Sequence, residues 1–186
     1  EFGHFDNDIK KMGKNFRYVL TISMQQSIAN TAGSMAIKAF NEKYPEVDLK
    51  VVIGTSHHCS ELMRRGDVKY SVSIENVHFE AKKIKLYSGK FVFITAVNDS
   101  RSSHDAGFIV TGDTRESFNI QGQYFKKYKK PMPINFAVAS WGVIANMAIN
   151  SNGVAYIPDY YLREMDKSRY KICRLDLKLF KYNINF

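Results

Sequence analysis

Two cysteines, four prolines and one tryptophan in 186 residues are what this chain has least of, and each scarcity excludes something. Cys59 and Cys173 are too few for a disulfide framework, so a buried core must hold the fold, and a reducing cytoplasm fits. With so little proline, Pro45, Pro131, Pro133 and Pro158 read as punctuation between otherwise unbroken elements. No stretch approaches the ~18 consecutive apolar residues of a membrane span, and the first residues carry no apolar signal core. Acidic side chains are short too, 18 against 27 basic ones, for a net charge of +9. Such a charge suits a nucleic-acid partner, but the lysines are scattered apart from Lys126-Lys127 and Lys129-Lys130. Those four are read as closing a helix at its negative end, since phosphate binding needs a contiguous basic surface.

What is present is a globular composition, 45% hydrophobic and 13% aromatic. Phe16–Ser23 is a short apolar run of the kind buried on both faces of a parallel sheet. After it, Ile28, Ala32, Met35, Ala36, Ala39 and Phe40 recur at helical spacing, which predicts an amphipathic helix with that face on the sheet. Pro45 turns the chain into a second strand, Leu49–Ile53. Thr55 or Ser56 caps a short helix that Gly66 closes, and Val68–Ile74 makes a third strand. Strands joined through helices run parallel with right-handed crossovers, so the loops after all three share one edge, where open α/β sheets bind ligands.

The second half repeats this grammar. Ile84–Val97 reads as a strand pair or a bent strand through Ser88-Gly89, and the polar run Asn98–Gly107 reads as a linker. Phe108–Val110 is then a strand, Thr111–Thr114 precedes a helix, Phe136–Ala139 is a strand, and Ser140 caps a helix ahead of strand Val154–Ile157. A short helix near Asp159–Met165 and a strand near Tyr170–Leu177 follow. The economical architecture is two Rossmann-like α/β lobes with a ligand cleft between them. Residues 16–97 with about 170–186 are expected in lobe I and 98–169 in lobe II, with Val97–Gly107 and Met165–Lys171 as the crossings; residues 1–15 are a linker remnant or a non-native addition.

Three segments carry a resemblance: Ala39-Phe-Asn-Glu-Lys-Tyr-Pro-Glu-Val-Asp-Leu49, Leu62-Met-Arg-Arg-Gly-Asp-Val68, and Ser140 through Pro158, with Met147-Ala-Ile-Asn-Ser-Asn-Gly-Val-Ala-Tyr-Ile-Pro158 inside it. In order and spacing, they resemble the effector-binding domain of the LysR-type transcriptional regulators. That family implies the type 2 periplasmic-binding-protein fold and ligand-controlled transcription. A small effector between the lobes alters a DNA-bound tetramer, no chemistry is done on the ligand, and DNA is met by an N-terminal winged helix-turn-helix with no counterpart here. By position, the resemblance implies ligand contacts from Thr21, Ser23, Met24, Gln25, Thr55, Ser56 and Asn76 on one lobe, and Thr111, Thr114, Ser140 and Tyr156 on the other. Small hydroxyl and amide groups at helix N-termini favour an organic or inorganic anion as effector. The resemblance also implies antiparallel dimers, with Thr31–Lys43 of one copy against about Ser117–Lys129 of another. It implies no cofactor, metal or membrane partner.

Other motifs yield less. His57-His58-Cys59 places three metal-capable side chains about 100° apart on a helix, where they cannot converge. Arg65-Gly66-Asp67 sits where a helix must close, and either cysteine would need a depressed pKa to sense oxidants. None of His4, His57, His58, His78 and His104 lies in a recognisable nucleophile or metal motif, which argues against an enzyme. A solute-binding protein of a transport system is the alternative on the same fold, and a small enzyme the second.

Overall fold

The computed structural model describes residues 18–74, 82–150 and 152–186. These form two compact units, one of the residues up to Ile84 with Asn185–Phe186, the other of Lys85–Ile184.

In the first unit, β1 (Tyr18–Gln25) lies between two parallel neighbours. It pairs with β2 (Val47–Gly54) from Tyr18↔Val47 to Gln25↔Gly54, and with β3 (Tyr70–Ile74) from Ile22↔Tyr70 to Met24↔Val72. Successive side chains alternate, so Leu20, Ile22 and Met24 bury one face while Thr21, Ser23 and Gln25 take the other. The helix after β1, α1 (residues 26–43), covers the Met24 side: a Cβ on its Gly33 would stand 2.8 Å from Met24 Sδ. The helix after β2, α2 (Ser56–Arg65), covers the other side, where its buried Cys59 meets Ser23 and Ser71. Adjacent strands thus send their helices to opposite faces, the arrangement that opens a crevice at their carboxyl ends. Thr55 caps α2, and Gly66 closes it in the left-handed conformation at φ 78°.

α1 corrects one expectation. It runs as Gln26–Ile28, a π-turn Ala29–Gly33, then Ser34–Lys43. The i→i+5 turn inserts one residue, so the inward positions fall at Ile28, Thr31, Gly33, Ile37 and Phe40 rather than at a strict 3.6 spacing. Ala32, Met35, Ala36 and Ala39, expected against the sheet, are all exposed, Met35 by 65%.

The second unit begins with β4 (Lys85–Ala96), one twelve-residue strand. It is antiparallel to β7 (Val154–Pro158) and to β8 (Tyr170–Cys173). β7 lies parallel to β5 (Phe108–Val110), and β5 parallel to β6 (Ile134–Ala137). The short helix α3 (Ser103–Ala106) precedes β5. Between the parallel strands run α4 (Arg115–Tyr128) and α5 (Trp141–Ile149), and a 3-10 turn, Asp159–Arg163, follows β7. Phe91, at the centre of the core, meets the rings of Trp141, Tyr156, Phe180 and Tyr182. Each fully buried side chain of this kind adds about 1.5–3 kcal/mol relative to exposure. β9 (Lys181–Asn185) neighbours β4, a strand that sequence patterning had not marked.

The two compact units divide between Ile84 and Lys85, and residues 97–107 lie within the second. Asp99 is nearly buried, its carboxylate accepts from Arg101 Nε at 2.9 Å and Nη2 at 2.7 Å, and its carbonyl accepts from Lys171 Nζ at 2.5 Å. The polar run is a satisfied knot rather than a linker.

Candidate functional site

At the carboxyl edge of the first unit, Gln25 holds the position before α1 but gives the helix no side-chain bond. Its Oε1 instead accepts from Ile74 N at 2.9 Å, extending the β1–β3 ladder by one side chain. The longer helices that follow are all capped: Thr55 accepts from His58 N (3.1 Å), Thr114 from Ser117 N (3.3 Å) and Ser140 from Val143 N (3.5 Å). α1 is left with first-turn N–H groups that no capping side chain takes, at the end where the dipole favours negative charge. Within that turn Ser27 is 9% exposed, and its hydroxyl has no partner among the described residues. A buried hydroxyl left unpaired costs about 1–3 kcal/mol, so an acceptor supplied from outside would be bound with corresponding gain.

Of the expected contacts on this unit, Ser23 is wholly buried and faces Cys59 rather than the edge. Ser23 and Ser71 find only that weakly accepting sulfur, while burial pushes the Cys59 thiol up. Met24 points into the opposite face, and Thr21 pairs at Lys50, four residues short of the edge. Gln25 is committed to Ile74 and Thr55 to its cap, Ser56 opens α2, and Asn76 lies outside the described residues. Ser27 was missed; the absence of a capping residue at position 25 was the available signal.

In the second unit, the parallel strands end at Val110, Ala137 and Pro158, which brings Thr111–Thr114, Ser140–Trp141 and Tyr160–Tyr161 to one edge. Thr111 and Thr114 share a hydroxyl bond of 2.8 Å. Burial pushes the Glu116 carboxyl up, opposed by its own N–H, the Thr114 hydroxyl and Arg115. Tyr156 is not at this edge. It is 1% exposed, its hydroxyl accepts from Phe180 N at 3.0 Å, and it serves as an internal post. Trp141 and Tyr161, which sequence reasoning had not placed at the edge, stand there instead. Among the described residues no cluster of three or more His, Cys, Asp or Glu could hold a metal ion. Nor is any helix among them long and apolar enough to cross a membrane.

A family model, the LysR substrate binding domain, matches residues 13–182. The chain belongs to the LysR substrate binding domain family. Its members have the type 2 periplasmic-binding-protein-like fold, and the strand orders above are consistent with it. No curated protein matches significantly in sequence. Among solved structures, a variant of the OxyR2 regulatory domain from Vibrio vulnificus is 13% identical with TM-score 0.71, over 93% of this chain and 88% of that one. The HypT regulatory domain from Salmonella typhimurium is 12% identical with TM-score 0.74, over 90% and 84%. CrgA, a LysR-type transcriptional regulator from Neisseria meningitidis, is 13% identical with TM-score 0.69, over 100% and 67%. At these identities the likeness is one of fold.

Proposed function

We propose that this chain is the effector-sensing domain of a LysR-type regulator, binding a small, anionic ligand and controlling a DNA-bound oligomer without chemistry on the ligand. The observation that carries this reading is the start of α1, with no side-chain cap, and Ser27 buried there with no partner among the described residues. A carboxylate, sulfate or phosphate would accept from these neutral donors and meet the positive end of the helix. Contact with DNA would be made by a winged helix-turn-helix outside this chain.

Thermal-shift titration with sulfate, phosphate, organic acids and amino acids tests it, because a ligand that binds only the folded state raises the melting temperature. A saturable rise with at least one anion is expected, and Ser27→Ala should weaken that binding about fivefold, the equivalent of about 1 kcal/mol. A flat response to the whole panel would sink the sensing role.

A further inference from the structure

In the second unit, the end of α4 carries more positive charge than the helix itself can use. Lysine fills four of the five positions 126–130, and no Asp or Glu occurs from Ser117 to Pro158. α4 ends at Tyr128, so only Lys126 and Lys127 lie in its last turn, where the dipole reaches. Lys129 stands past that end in the left-handed conformation at φ 56°, which glycine ordinarily takes there, and Lys130 follows it. The dipole therefore does not account for all four.

The fold brings further cations to them. Lys127 Nζ donates to the Asp176 carbonyl at 2.7 Å and to its carboxylate at 2.5 Å, which holds Asp176 against the end of the helix. Arg174, Asp176 and Lys178 are exposed, while Leu175 and Leu177 between them are half-buried, so both cations share the outward side of Asp176. Two residues of chain span at most about 7 Å, which keeps both cations close to the Lys127 contact. Lys127 neutralises Asp176, and among the described residues Lys126, Lys129, Lys130, Arg174 and Lys178 form no ion pair. Lys127 follows Phe125 by two residues and so projects about 160° away around the helix, clear of the exposed Phe118 and Phe125.

We infer that Lys126, Lys129, Lys130, Arg174 and Lys178 form a basic surface that docks the phosphate backbone of duplex DNA. This assignment rests on the role proposed above, in which a separate domain holds the chain beside DNA. Tethering of that kind raises the effective concentration, so contacts that are weak alone add to binding. Lysine is depleted from protein–protein interfaces, which argues for phosphates over an acidic protein. Contacts to phosphate add affinity without reading sequence.

The probe is a fluorescein-labelled duplex of about 20 bp and arbitrary sequence, titrated with the whole chain by anisotropy from about 50 to 200 mM salt. Binding should weaken steeply as salt rises. Lys126→Gln, Lys130→Gln, Arg174→Gln and Lys178→Gln combined should weaken it about tenfold or more, and flatten the slope of log K against log salt by about 3. Lys50→Gln, Lys69→Gln, Lys90→Gln and Lys167→Gln combined remove the same charge from exposed positions elsewhere and should cost less than about threefold. All eight side chains are exposed, so both variants should melt with the wild type. Equal losses in the two variants, or none in the first, overturn the assignment. Displacement of the DNA by poly-glutamate at equal charge concentration overturns it as well and points to an acidic polypeptide. If an anion binds through Ser27 while the first variant binds DNA as the wild type does, this surface is lost and the sensing role stands. If the anion panel is flat while the two variants part as expected, the sensing role is lost and this surface stands.

Discussion

Asp99 is a buried carboxylate of the second unit whose charge state is tied to its fold. Its carboxyl is held down to about 2 by the Arg101 guanidinium, with the Arg101 N–H and the Thr95 hydroxyl adding to the effect, against an ordinary value of 3.8. A folded pKa below the unfolded one means stability that is fully present above pH about 4 and lost as pH falls through about 2. The Arg101 side chain is 44% exposed, and water screens the pair, so the contribution is about 1 kcal/mol. Melting temperatures of wild type and Asp99→Asn should therefore differ by a constant amount above pH 5 and converge toward pH 2. A gap that persists at pH 2 would mean that the carboxylate charge is irrelevant. Cys59 gives a second expectation at this scale. It is completely buried and burial raises its pKa, so it should stay unlabelled by iodoacetamide in the native protein and react once the protein is unfolded in urea. Mass spectrometry showing native labelling of Cys59 at the rate of a free thiol would contradict its placement.

Among the elements, α1 is where sequence and structure part most clearly. Gly33 fits because a Cβ there would press on Met24 Sδ at 2.8 Å and on Ile28 O at 3.3 Å. Gly33→Ala should cost about 1–3 kcal/mol by overpacking, and part of that cost should disappear in a Met24→Ala background. Urea unfolding of the two single variants and the double variant measures the coupling; strictly additive losses would show that the two side chains do not meet. Elements punctuated by backbone chemistry were legible: the Pro45 turn, the Gly66 closure, the helix after Thr111–Thr114, the Ser140 cap and the Pro158 stop all stand where their residue types place them. The π-turn was not, because Ala29-Asn-Thr-Ala-Gly33 has no residue that marks an i→i+5 bond, and a 3.6 period carried through it picks the wrong face. β9 escaped because it follows an irregular segment, although Tyr182 and Ile184 alternate inward as a strand requires. The candidate site was half legible. Hydroxyls at strand ends were found, but Thr55 and Gln25 were already spent on capping and pairing, and that competition is decided only in three dimensions.

For the molecule as a whole, the stripe on α1 that was expected against the sheet is open to water. Met35, Ala36 and Ala39 are exposed in the first unit. In the second, Phe118 (61% exposed) and Phe125 (56%) lie three and four residues either side of Gly122 on one face of α4, with open space above that glycine. Strands β2 and β6 end the sheet order, and each exposes a large side chain, Ile53 and Phe136. Apolar exposure on both helices fits the antiparallel dimer that the resemblance implies, and we propose its pairing: α1 of one copy on α4 of another. A charge placed on α4 would then be carried into two symmetric contacts at once. Phe118→Glu with Phe125→Glu should leave the unfolding free energy within about 1 kcal/mol of wild type, since both side chains are already more than half exposed. The same pair should weaken self-association on the order of 100-fold, a loss of about 3 kcal/mol. Sedimentation velocity over a concentration series measures both proteins directly. Wild-type protein that stays monomeric up to on the order of 1 mM, where even about 4 kcal/mol of association would show, removes the dimer.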